Sequence, residues 1–370
     1  MKMPVELVMV AGARPNFMKV APLWNALSQD SAFSTTLVHT GQHFDDSMSG
    51  QFFRDLGLPE PAYHLGAGGG SHAQQTAEIM KRLEPVLLER SPRGVIVVGD
   101  VNSTVAGALV AKKLGIDVVH AEGGLRSFDR TMPEEINRLV TDAISDVLLV
   151  TERSGVDNLT REGVPPERIH LVGNLMIDSL RKHLPRAMQS DVRHRLGIGG
   201  ERYGLVTLHR PANVDDERQR AEILGALSVI SEDLELFWPV HPRTRARLEQ
   251  GSRALPPRIH LLDPLGYLDF LRLQAESFIV LTDSGGIQEE TTVLGVPCLT
   301  LRENTERPVT IECGTNRLAG VSKDSILQAW RTALLAPPKS VLPPLWDGKA
   351  GERCHAVLSS YFQSSKTPDQ

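Results

Sequence analysis

Residues 7–27 read LVMVAGARPNFMKVAPLWNAL, and residues 204–227 read GLVTLHRPANVDDERQRAEILGAL. Each stretch opens on a short apolar run, passes through a polar turn and continues with apolar residues at helical spacing. A short run that is apolar throughout, bounded by turn residues, suits a strand buried on both faces of a parallel sheet. The same strand, loop and helix recur along the chain. Strand candidates are ELVMVAG, TTLVHTG, GVIVVGD, DVVHAEG, VLLVTE and IHLVG, then YGLVTLH, LFWPVH, IHLL, FIVLTD and PCLTL. Helical segments such as VAPLWNALSQ and TVAGALVAKKLG lie between them, the pattern of right-handed βαβ units. The expectation is an α/β protein of two Rossmann-like, doubly wound domains facing a cleft, with ligands at the carboxyl ends of strands. The domains are expected at 1–175 and 176–352, with a helix in residues 353–370 packing back on the first.

A length of 370 residues favours two domains over one, and 41% hydrophobic with 23% charged residues is ordinary for a soluble globular chain. The net charge of −5 leaves no basic footprint for nucleic acid. No run approaches the roughly 18 apolar residues of a membrane span. The opening MKMPVELVMVAGARPNF reads as a first buried strand, not a signal peptide, because Glu6 and Gly12-Ala13-Arg14-Pro15 interrupt its apolar run. Cys298, Cys313 and Cys354 are widely spaced and form no CxxC, so neither a metal site nor a disulfide framework is expected, and a reducing cytoplasm fits.

Polar motifs sit at the ends of the strand candidates. In FIVLTDSGGIQEETTVLG (278–295), Ser284 can cap a helix, while Gly285 and Gly286 let an anion reach unpaired N–H groups. Glu290, one turn on, could accept hydrogen bonds from a ribose diol. An ordinary strand–turn–helix fits those residues equally well. LTLRENTERPV (299–309) offers Arg302, Glu306 and Arg307, either as diphosphate forks or as a solvated loop. AGARPNFMKVAPL (11–23) brings Arg14 and Lys19 to a strand end without a known phosphate-loop pattern, and LGAGGGSH (65–72) reads as a mobile loop. Asp100, Glu122, His209 and His241 stand at further strand ends, each plausible alone as a structural residue. In HAEGGLRSFDRTMPEEINR (120–138), Asp129, Arg126 and Arg130 read as loop charges or local structural partners, and Glu135 as a carboxylate favoured by the helix dipole.

Taken together and in order, GARPNFMKVAPL, GQH, VVGDVNST, HAEGGLRSFDRTMPEEINR, TLHRPANVD, PVHPRT, TDSGGIQEE and TERP resemble the non-hydrolysing UDP-N-acetylglucosamine 2-epimerases, from residue 12 to about 308. The resemblance implies a GT-B-like pair of domains, a cytoplasmic homodimer, a UDP-sugar substrate, no cofactor and a place in cell-surface polysaccharide biosynthesis. It matches Asp100, Glu122, Glu134 and His209 to the family's catalytic set. It matches Arg14, Lys19, Arg138, His241, Ser284, Gly285, Gly286, Glu290 and Arg307 to nucleotide and phosphate contacts. Where many members carry QHRE-like residues for an activating second substrate molecule, this chain reads GQHFDDSMS. Gln42 and His43 are retained as candidate allosteric residues, without the adjacent arginine.

The implied reaction suits those residue types. C2 adjoins the anomeric carbon, so loss of the C2 proton with expulsion of UDP gives 2-acetamidoglucal, and re-addition gives the epimer. Acids and bases are needed on both faces of the ring, with anion stabilisation for UDP. GQHFDDSMS and PANVD also resemble a branch acting on other 2-acetamido sugars, such as diacetamido-uronic acids. A hydrolysing 2-epimerase and a GT-B glycosyltransferase are the competing readings.

Overall fold

Every apolar run named above forms a strand in the computed structural model, which describes residues 3–42, 53, 55–240, 242–249, 255–335 and 341–364. The chain divides into two units, Met1–Lys182 with Pro344–Gln370, and His183–Pro343. The change of unit falls inside the Leu175–Ala187 helix, so no break in composition marks it.

The first unit holds seven parallel strands: β1 (Val5–Ala11), β2 (Phe33–His39), β3 (Tyr63–His64), β4 (Gly94–Val98), β5 (Asp117–Gly123), β6 (Val147–Val150) and β7 (Ile169–Leu171). Their order is β3-β2-β1-β4-β5-β6-β7. The second unit holds β8 (Tyr203–Thr207), β9 (Glu235–Pro239), β10 (Ile259–Leu262), β11 (Ile279–Thr282), β12 (Cys298–Thr300) and β13 (Asn316–Leu318), in the order β10-β9-β8-β11-β12-β13. Chain direction across each sheet reverses beside its first strand, between β1 and β4 and between β8 and β11. That is where a doubly wound sheet opens a crevice for ligands.

β4, β6 and β11 are buried along their whole length, because helices cover both faces. In the first unit Val8, Val10, Val95 and Val97 pack with Leu83 and Leu87 of the His72–Arg90 helix. In the second, Val206, Leu236, Trp238 and Leu281 pack with Ile223, Leu227 and Trp330. Two edge strands, β3 and β13, went unread in the sequence. Each is two or three residues long, too short for a periodic signal.

The triple glycine lies in the loop that leads into a helix: Ser71 caps His72–Arg90 by accepting from the Gln74 amide. Its backbone lies so close to Gly41 that a Cβ on Gly68 would fall 2.6 Å from the Gly41 carbonyl oxygen. The last helix, Ala350–Ser364, belongs to the first unit. Asp178 accepts from the amides of Ala350 (3.0 Å) and Gly351 (2.7 Å), and Trp346 donates to the Thr151 carbonyl (3.2 Å). Phe362 lies against Gly94, whose missing side chain makes room for it. Among the described residues, no helix is long and apolar enough to cross a membrane.

Candidate active site

At the switch point of the first sheet, β1 runs into the Arg14–Ser28 helix through Gly12. A Cβ on Gly12 would sit 2.1 Å from Ser103 Oγ and 2.2 Å from Thr40 Oγ1, so only glycine fits between these turns. Asn16 accepts from the Ala13 amide (3.1 Å) and donates to the last carbonyl of β4, Val98 (3.0 Å). One turn further, Lys19 is buried and its ammonium pairs with the Glu122 carboxylate. Lys19, Glu122, Thr151, Gly173 and Asn174 line a small cavity. Lys19, expected at a phosphate, therefore meets a carboxylate of its own unit.

Glu122 occupies an unusual backbone. The pairing of β5 with β6 slips between Ala121 and Gly123, leaving Glu122 as the extra residue of a bulge, with φ +78°. A left-handed non-glycine residue costs on the order of 1–3 kcal/mol and persists only where its surroundings enforce it. Gly99 lies beneath: a Cβ there would be 3.2 Å from Glu122 Oε2. The next residue is Asp100, so the turns after β4 and β5 bring Asp100 and Glu122 into one neighbourhood.

Asp100 takes a hydrogen bond from Arg138 Nη1, and its carbonyl accepts from Asn137 (2.9 Å). Arg138, expected as a phosphate contact, is buried and also forks onto Glu135 (2.6 and 3.0 Å). Glu135 accepts from the amides of Ser127 (2.9 Å) and Phe128 (3.0 Å) as well. Burial works to raise its pKa, but the Ser127 amide and Arg138 hold it below the ordinary range. Glu135 is thus the internal brace of the 124–132 loop, a larger part than a helix-start charge. Glu134, one residue earlier, is half-buried and has no hydrogen-bond partner among the described residues.

Sequence reading passed over His120 and Asp142. His120 is fully buried, with Nδ1 2.6 Å from Asp142 Oδ1 and Nε2 2.8 Å from the Gly99 carbonyl. Asp142 also accepts from the Gly124 amide (3.0 Å) and Arg126 Nη1 (2.6 Å), and Arg126 reaches Glu162 (2.7 Å). Burial pushes Asp142 up, while His120 and Arg126 hold it below the carboxylate range. These partners lie 16 to 36 residues apart in sequence, so no local motif announces them.

In the second unit Asp283 opens the turn after β11 and is fully buried. It accepts from the amides of His209 (3.1 Å) and Arg210 (3.0 Å), from Asn213 (3.1 Å) and from His209 Nδ1 (2.9 Å). The His209 side chain is 64% exposed. Its surroundings disfavour the imidazolium, but the Asp283 hydrogen bond and charge outweigh that and raise its pKa. A histidine so held can present a charged donor at a strand end.

Ser284 is the N-cap of the Gly285–Leu294 helix, and its hydroxyl makes no capping bond. The helix begins at Gly285, where a Cβ would lie 2.6 Å from Glu306 Oε1, followed by Gly286. Its first amides and dipole form an anion cradle. Arg307 is buried with Nε 2.5 Å from Glu289, and Arg302 pairs with Glu306 at 2.7 Å. Both arginines, read as phosphate forks, have carboxylate partners inside the unit. Glu290 is buried too. Desolvation and Glu289 push its pKa up to about 7, against the Gln274 and Tyr267 hydrogen bonds. Near neutrality it is then partly a neutral acid, able to donate as well as accept.

Gln42 is engaged in the first unit: its Oε1 accepts from the Ser103 amide (3.0 Å) and hydroxyl (2.7 Å). His43 and His241 lie outside the described residues, as does the side chain of Arg14.

A family model described as UDP-N-acetylglucosamine 2-epimerase matches residues 25–359. The UDP-N-acetylglucosamine 2-epimerase of Methanocaldococcus jannaschii is 40% identical over 364 residues, 96% of this chain and 99% of that one. The UDP-2,3-diacetamido-2,3-dideoxy-D-glucuronate 2-epimerase of Pseudomonas aeruginosa is 41% identical over 334 residues, covering 89% and 92%. The crystal structure of the M. jannaschii UDP-GlcNAc 2-epimerase in complex with UDP-GlcNAc and UDP superimposes with a TM-score of 0.88, covering 96% of this chain and 99% of that one.

Proposed function

Since the chain belongs to the UDP-N-acetylglucosamine 2-epimerase family, we propose that it inverts C2 of a UDP-linked 2-acetamido sugar, interconverting UDP-GlcNAc and UDP-ManNAc. A carboxylate removes the C2 proton; the C–H electron pair forms the C1=C2 bond of 2-acetamidoglucal while the C1–O bond breaks and UDP leaves. UDP oxygen then adds back to C1, and a second acid delivers a proton to the opposite face of C2. Proton transfer falls to Glu122, Asp100 and Glu134 in the first unit, with His209 in the second. The amides of Gly285 and Gly286, with Ser284, stabilise the departing diphosphate, and Glu290 takes the ribose diol. Arg138 and Arg307 act from their ion pairs, as supports for Asp100 and for the helix bearing the cradle.

The observation that carries this reading is Glu122, held at a strained bulge with Lys19 on its carboxylate and the Asp100 turn beneath it. Strain enforced at a single acidic residue one strand from the switch point is expected of a group aimed at a reacting atom. The P. aeruginosa relative supports a second sugar, a diacetamido-uronic acid. We further propose a cytoplasmic homodimer that supplies cell-surface polysaccharide synthesis, its dimeric state open to light scattering.

The test is incubation with UDP-GlcNAc and with UDP-diacetamido-glucuronate in D2O, followed by NMR at C2. Deuterium at C2 of UDP-linked product, with both epimers present, is the expected result. Free 2-acetamidomannose would indicate the hydrolysing reaction, transfer to an added acceptor a glycosyltransferase, and no C2 exchange with either sugar would sink the proposal.

A further inference from the structure

What enforces the Glu122 backbone is on the page. Asp142 spans the bulge with one carboxylate: Oδ1 meets the ring of His120, two residues before Glu122, and Oδ2 takes the amide of Gly124, two residues after. Gly123, between them, has no room for a side chain, since a Cβ would fall 3.1 Å from Asp142 Oδ1 and 2.9 Å from Leu148. The other face of His120 reaches the Gly99 carbonyl, the residue before Asp100. One buried pair therefore ties down the backbone beside both carboxylates.

The hydrogen bonds also fix one donor. A carbonyl oxygen only accepts, so His120 Nε2 carries a proton. Asp142 takes the Gly124 amide and the Arg126 guanidinium on Oδ2, which leaves Oδ1 to share a proton with Nδ1. A buried ion pair is a weak source of stability, and an apolar pair of similar volume is often as good. What an apolar pair cannot do is hold an amide and a carbonyl in fixed directions.

Resting on the C2-epimerase reading, we propose that Asp142, with the His120 ring held against it, is the positioning residue that sets the Glu122 bulge and the Asp100 turn. Neither side chain needs to touch the sugar. Their effect reaches the reaction through the placement of two carboxylates, and a displacement near 1 Å is worth about 10²-fold in rate.

The experiment compares Asp142→Asn and His120→Asn with Leu87→Ala, a core substitution in the His72–Arg90 helix that destabilises the same unit. For both site variants, kcat for C2 exchange should fall about 10²-fold, with KM and UDP affinity within about threefold. Leu87→Ala, at a matched loss of melting temperature, should keep kcat within about threefold. A kcat in the site variants that merely tracks Leu87→Ala overturns the inference. If the variants do not fold, ¹⁵N-histidine NMR of the wild-type enzyme decides: a one-bond N–H coupling at His120 Nε2 supports it, and an unprotonated Nε2 overturns it. A wild-type enzyme without exchange would strike at the epimerase reading instead, and the NMR arm then judges the His120 geometry by itself.

Discussion

Glu290→Gln isolates a buried acid whose ionisation is linked to folding. The carboxyl is 4% exposed, and its pKa stands at about 7 against an ordinary 4.5, mainly through desolvation. The folded pKa lies above the unfolded one, so the stability contribution is fully present below the unfolded value and is lost as pH rises through about 7. The gap is worth about 3 kcal/mol in full at 1.36 kcal/mol per pH unit. Most of this falls between about pH 5 and pH 8. Glutamine keeps the shape and the reach toward Tyr267, whose hydroxyl is 3.4 Å from Glu290 Oε1, but it cannot ionise. Urea unfolding of both proteins at several pH values is the assay, read as the difference between them so that other titrating groups cancel. Wild type should lose about 2–3 kcal/mol relative to the variant over that range. A difference that stays flat within about 0.5 kcal/mol would refute the reasoning. UDP titrations in the same buffers add a second readout. If the carboxylate holds the ribose diol, UDP binding should favour the ionised form, and the affinity gap between the two proteins should widen above about pH 7.

Three other outcomes are expected. Arg138→Met strands Glu135 and Asp100 without their cation and should cost about 3–5 kcal/mol in urea unfolding, partly restored by adding Glu135→Gln. Gly285→Ala drives a Cβ against Glu306, which Arg302 clamps, and should weaken UDP binding about tenfold or more by calorimetry. Asp283→Asn removes the partner that raises His209, so the His209 titration followed by NMR should move down, and because Asp283 is buried and accepts from two backbone amides and Asn213 the variant should also lose about 1–3 kcal/mol in urea unfolding.

The strand–loop–helix repeat was legible because buried parallel strands leave continuous apolar runs, and eleven of the thirteen strands among the described residues announced themselves in this way. Strand ends were legible too, which is why Asp100, Glu122, His209 and Ser284 could be picked out. Hidden from sequence were the partners: Lys19 with Glu122 across 103 residues, His209 with Asp283 across 74, and His120 with Asp142 across 22. Charge alone does not say which carboxylate of its own chain an arginine pairs with, as Arg138 does with Glu135 and Arg307 with Glu289. Nor does it fix protonation, which for Glu290 depends on burial that only the fold supplies.

The return of the last helix to the first unit has a consequence for biosynthesis. On the ribosome, strands β1 to β7 emerge early, but the helix that covers Gly94 and the amides that pair with Asp178 come last. The nascent first unit must wait while the intervening 183–343 segment is translated, roughly 10–30 s at bacterial elongation rates. During that interval its β4 face is open to chaperones, or to other nascent chains. A stop codon just before Pro344 would spare the second unit and leave the first, which carries Glu122, permanently unfinished.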